Sequence, residues 1–75
     1  EQEDESFDKE RLRQIKKAIN TLPRKRQRIF KLNRYWGLKY SEIAQKLGIS
    51  EKTVENQMGM ALKQLREKLK NLRNE

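Results

Sequence analysis

Lys52, Glu55, Asn56, Gln57, Gly59, Met60 and Lys63 stand close together near the C-terminus. They interleave with Val54, Met58, Ala61, Leu62, Leu65, Leu69 and Leu72, which recur at the three- and four-residue spacing of a helix. At about 100° per residue the apolar set covers roughly one third of the circumference. Lys52, Asn56, Gly59, Met60 and Lys63 then point away from it, flanked by Glu55, Gln57 and Gln64. The chemistry open to such a face is hydrogen bonding to base edges. Asn and Gln make paired bonds to adenine, Glu accepts from cytosine N4, and Lys reaches guanine or phosphate. Met60 suits a thymine methyl. Gly59 costs about 1 kcal/mol relative to Ala inside a helix, a cost expected where another surface comes close. The predicted base-contacting set is Lys52, Glu55, Asn56, Gln57, Gly59 and Met60. A polar outer face is also ordinary for any surface helix, so the segment ahead of it decides.

That segment runs Tyr40-Ser-Glu-Ile-Ala-Gln-Lys-Leu-Gly-Ile-Ser-Glu-Lys-Thr-Val54. It reads as a short helix over about 40–47, with Ile43, Ala44 and Leu47 inward. Ser41 suits its cap, with Lys39 or Tyr40 as alternative boundaries. A three-residue turn follows, in which Gly48 takes the left-handed conformation and Ile49 plugs the core. Ser50 caps the last helix. This is a helix-turn-helix over about 40–60, whose second helix enters the major groove. Arg34, Lys39, Tyr40, Ser41, Lys46, Thr53 and Lys63 are the predicted backbone contacts, with phosphate also drawn to the amides that open the third helix.

Two further helices must hold this unit. Leu12, Ile15, Ile19 and Leu22 form one stripe, predicting a helix over about 8–21 that Pro23 ends. Pro23 also opens the next helix, because its fixed φ suits a first turn and no needed donor is lost. That helix spans about 24–35, with Ile29, Leu32 and Trp36 inward and Gly37 as its stop. Trp36 is expected in the core, and Arg24, Arg28 and Lys31 form a basic stripe open to DNA backbone, to an acidic protein or to solvent, with solvent ranked first for each single residue. The last helix reaches about residue 72. No strand pattern competes. The expected fold is all-α, a four-helix domain with a C-terminal helix-turn-helix and no wing. Residues 1–7 read as an acidic linker or tail, and 8–73 as the domain.

The chain has 75 residues, 33% of them apolar, which suits one small core. It has no Cys and no His, which removes disulfides, thiolate or imidazole metal sites and Ser-His or Cys-His catalysis. No nucleophile–base pair is evident, so no enzyme, catalytic residue, metal or cofactor is expected. No apolar run nears the roughly 20 residues of a membrane span and no signal-peptide pattern is present, so the expected location is cytoplasmic. Net charge is +8, unevenly placed. Residues 1–10 carry six acids and one base, whereas residues 11–75 carry 18 bases and five acids, a net +13. Such a surface attracts polyanions, nucleic acid above all.

Leu22-Pro-Arg-Lys-Arg-Gln-Arg-Ile-Phe-Lys-Leu32, the 40–50 segment, Thr53-Val-Glu-Asn56 and Ala61-Leu-Lys-Gln-Leu-Arg-Glu-Lys-Leu69 together resemble the C-terminal region 4 domain of sigma-70-type factors, in particular the extracytoplasmic-function group. The resemblance covers about residues 8–70. It implies binding of the promoter −35 element as double-stranded DNA by the last helix, docking on the β flap of RNA polymerase core, frequent control by an anti-sigma factor, and a monomer in isolation. By position, Lys52, Glu55, Asn56, Gln57, Gly59 and Met60 sit where the family reads bases. The chain departs from the family at Lys39, often Ser or Thr, at Arg26, often apolar, and at Gln27, often Arg.

Two rival readings stand beside it. A LuxR-type response-regulator output domain shares the Glu-Ile-Ala…Leu-Gly-Ile-Ser-Glu-Lys-Thr-Val pattern but would dimerise and bind a palindrome. The Leu-Pro junction and the long Leu65–Leu72 extension favour the sigma reading. A basic protein-interaction module without DNA binding would show no salt-dependent DNA affinity.

Overall fold

The computed structural model describes residues 2–73, with side chains over 9–70. Four helices follow one another: α1 (Gln2–Ile19), α2 (Arg24–Arg34), α3 (Tyr40–Leu47) and α4 (Glu51–Arg73). There is no strand among the described residues, and hence no wing. The all-α expectation holds. Helix α4 is the hub, packing against α1, α2 and α3, while α2 also packs against α3.

The apolar stripes explain that arrangement. Val54, Met58, Ala61 and Leu65 of α4 meet Ala18, Ile19 and Leu22 from α1 and its end, Ile29 and Phe30 of α2, and Ile43 and Ala44 of α3. Ile29, Ile43, Met58 and Val54 are the largest fully enclosed side chains. Burying each such side chain contributes roughly 1.5–3 kcal/mol. Ile15, Leu32, Leu38, Tyr40, Leu47, Ile49, Leu62 and Leu69 close the rim. No buried side-chain nitrogen or oxygen among the described residues lacks a partner.

Helix ends follow local chemistry. Gly37 (φ 71°) and Gly48 (φ 68°) both take the left-handed conformation. After Gly48 the Ile49 N–H returns to the Ala44 carbonyl (3.0 Å), the six-residue closure of a helix end, whereas after Gly37 the Leu38 N–H reaches one residue further back, to the Leu32 carbonyl (3.1 Å). Ser50 caps α4 as expected, its Oγ accepting from the Thr53 N–H at 3.0 Å. The α3 boundary falls at Lys39 rather than Ser41: the Lys39 N–H donates to Glu42 Oε1 at 2.8 Å, so the carboxylate supplies the cap that a lysine side chain, which has no acceptor, cannot. Gln27 ties the α1–α2 corner by donating from Nε2 to the Leu22 carbonyl at 3.3 Å.

Three expectations change. Helix α1 begins at Gln2, not near residue 8, and ends at Ile19 rather than 21. Lys16 and Lys17 in the last turn favour the helix dipole, and the helix runs well beyond its apolar stripe. Leu12 is 52% exposed because it lies a turn before the packed part of that stripe; Ala18 takes the core position instead. Trp36 is 75% exposed, not core, and Phe30 is buried in its place. Helix α2 stops at Arg34, so Trp36 falls in the turn before Gly37 and leaves the helical phase on which its inward reading depended. Leu32 is half-buried. The side chains of Phe7 and Leu72 lie outside the described residues.

Candidate nucleic-acid interface

The turn Gly48-Ile49-Ser50 sets α4 against α3, and the enclosed Val54 and Met58 fix how α4 is rotated. Once that rotation is fixed, Lys52, Glu55, Asn56, Gly59 and Lys63 are all exposed on the outer side of one rod. Lys52 and Glu55 stand 4.0 Å apart as a solvent-exposed pair, an interaction weak enough to release both groups to another surface. Nothing lies within 4 Å of where a Cβ at Gly59 would stand. Packing inside the chain therefore does not require glycine there. Gly59→Ala is expected to stabilise the free domain by about 1 kcal/mol, read as a raised melting temperature, while weakening DNA binding if the groove floor comes close. A variant that is more stable and binds DNA equally well would remove Gly59 from the contact set.

Gln57 and Met60 are placed differently from their neighbours. Gln57 is half-buried, and Arg26 of α2 reaches across to both. Arg26 Nε donates to Gln57 Oε1 at 3.0 Å and Nη2 lies 3.3 Å from Met60 Sδ. Arg26 Nη1 donates to Gln64 Oε1. These three residues form the flank of α4 that faces α2, not its outermost line. Spacing along one helix carries no signal of Arg26, because the contact joins positions far apart in sequence.

The predicted backbone contacts divide in the same way. Lys39, Ser41, Lys46 and Lys63 are exposed. Arg34 is exposed too, with its guanidinium 5.8 Å from the Phe30 ring centroid. Tyr40 is half-buried against the core. Thr53 is half-buried, with its hydroxyl 2.9 Å from Ser50 Oγ, so it shares in the cap of α4. The opening of α3 already holds a carboxylate, since Glu42 takes the Lys39 amide. Lys63→Ala is expected to weaken binding to all sequences alike and to flatten the salt dependence of log K by about one unit. Titrations at several salt concentrations test it, and a loss confined to one sequence would contradict that role.

The family model described as Sigma-70, region 4 matches residues 12–65, more than half of the chain. The chain belongs to the sigma-70 region 4 family. No curated protein and no solved structure matched it. In sigma factors, region 4 is the promoter −35 DNA-binding region. The match covers α2, α3 and the turn of this region 4 domain together with the half of α4 that carries the exposed polar stripe. A region 4 domain is a DNA-binding regulatory module and not an enzyme of known family. No helix among the described residues is long and apolar enough to cross a membrane.

A second surface lies on α2. Arg24, Gln27, Arg28, Lys31, Leu32 and Trp36 line a shallow groove. Its cations lie on the other side of α2 from Ile29, which is enclosed, and from Arg26, which touches α4. Exposed Trp36 gives the groove a large aromatic wall among positive charges.

Proposed function

We propose that this domain directs a bacterial RNA polymerase to promoters by laying α4 in the major groove of the −35 element. The observation that carries this reading is the wet stripe Lys52–Asn56–Gly59–Lys63 standing opposite the enclosed Val54, Met58 and Leu65 in a region 4 domain. Asn56, Lys52, Glu55 and Gly59 face base edges, with Met60 and Gln57 at their flank. Lys39, Ser41, Lys46, Arg34 and Lys63 hold phosphates, with Tyr40 and Thr53 acting mainly by shaping the ends of α3 and α4. Such a protein works in the cytoplasm, as a monomer in isolation, and without a cofactor.

The α2 groove is the proposed seat of the polymerase β flap. An exposed Trp flanked by Arg24, Arg28 and Lys31 suits an apolar side chain set among acidic ones. It lies away from the α4 stripe, so both partners can be held at once. The residues resembling the extracytoplasmic-function group favour that type, in which an anti-sigma factor would compete for the same surfaces.

Selection of bound duplexes from a random pool, alone and with the β flap added, tests the reading. One asymmetric site, bound weakly by the domain and more tightly with the flap, is the expected result. A palindrome bound by two copies would favour a LuxR-type output domain. Absence of salt-dependent DNA binding would leave only a protein-interaction module.

A further inference from the structure

Arg26 meets α4 at three points, and its chemistry leaves little freedom in how the amides answer it. A guanidinium carries five N–H donors and no acceptor. Any amide that faces it must turn its oxygen inward, since the opposite orientation sets N–H against N–H. Gln57 and Gln64 both obey this, each presenting Oε1 to Arg26. Their –NH2 groups are therefore directed away from Arg26. Arg26 is itself held by its place at the start of α2, one turn before the buried Ile29 and Phe30.

Paired recognition of adenine needs both halves of an amide, the oxygen accepting from N6 and the nitrogen donating to N7. Asn56 is exposed and no bond to Arg26 turns its oxygen inward. Gln57 has its oxygen turned toward α2, where Arg26 occupies one of its two lone pairs. Two neighbouring amides of like chemistry thus differ in what they can read, and a residue on another helix sets the difference.

We propose that Arg26 is a positioning residue for DNA recognition, which turns the Gln57 oxygen toward α2 and leaves its –NH2 as the group presented to DNA, favouring the two acceptors of guanine or a phosphate over the paired contact with adenine N6 and N7. The acceptor is the guanine edge (O6 and N7) or a phosphate oxygen on the strand beside α4. This inference rests on the promoter-binding reading above.

The experiment compares base preferences selected from a random duplex pool by the 75-residue chain, by Arg26→Met and by Gln57→Ala. Arg26→Met keeps length and apolar stem but frees the Gln57 oxygen. It is expected to gain about a tenfold preference for adenine at a single base pair, with the preference opposite Asn56 unchanged. Where Gln57 meets guanine, Gln57→Ala loses preference at that same base pair. Where it meets phosphate, Gln57→Ala weakens all sequences alike. A preference profile for Arg26→Met that superposes on the parent's overturns the proposal while leaving promoter binding intact. No base preference in the parent chain at any salt concentration overturns both. Should Arg26→Met fail to melt cooperatively, the parent and Gln57→Ala are compared by NMR without DNA. The Arg26 Nε–H resonance is expected to shift and exchange faster with solvent in Gln57→Ala, and an unchanged resonance overturns the proposal.

Discussion

Val54→Asp unfolds the domain at neutral pH. Val54 is fully enclosed, and it lies where the first turn of α4 enters the core shared with α2 and α3. The substitution removes an apolar side chain and places a carboxylate among Ile29, Ile43, Met58 and Ala61, where no buried polar group is present to receive it. An unpaired charge in such a place costs several kcal/mol even after relaxation. Once chain entropy is set against burial, a core of this size leaves a net stability of only about 3–5 kcal/mol. The cost therefore meets or exceeds the whole stability. Circular dichroism at 222 nm reads the outcome as lost helix content and a lost cooperative melt. A variant that melts like the parent would mean that α4 is rotated differently, and the assignment of its outer stripe to DNA would go with it.

Asn56→Ala is expected to do the opposite: the fold persists and discrimination falls. Asn56 is exposed on α4, and Ala is the better helix former, so the free domain should lose no stability. If Asn56 makes a paired contact to one base, the loss is about 1–3 kcal/mol of preference at that base pair. Competition titrations of the selected site against single-base variants measure it at one fixed salt concentration. The preference should flatten at one position and persist elsewhere. An unaltered profile would remove Asn56 from the reading set.

The contrast between these two substitutions comes from one helix whose rotation was legible in the chain. Val54, Met58, Ala61 and Leu65 keep the helical period without interruption, and all four are buried. The capping Ser50 and left-handed Gly48 were equally legible, because a cap and a positive φ are properties of a few adjacent residues. Helix α3 matches its expected bounds for the same reason. The stripe of α1 was correct in phase but too long at Leu12. How far a stripe is covered depends on where the neighbouring helices end.

Trp36 and Phe30 show where such reasoning stops. On an uninterrupted helix Trp36 would fall at the centre of the α2 stripe, between Ile29 and Leu32, and Phe30 at its margin, so the period favours burying Trp36. Termination of α2 at Arg34 decides between them, since it takes Trp36 out of helical phase and leaves Phe30 within it. Among the residues expected to meet DNA, Gln57 is the instructive case. Its place on α4 suggested an amide free to read adenine, yet the oxygen faces Arg26.

The order of residues alone thus determined four helices, the bend at Gly48, the cap at Ser50, the rotation of α4 and the basic character of everything after residue 10. Each depends on contacts within a few turns or on summed charge, and neither needs knowledge of distant neighbours. Only the tertiary structure decided that Trp36 stands in solvent beside a cationic groove and that Arg26 governs one flank of α4. Those outcomes depend on which helices meet, and where each one ends, in three dimensions.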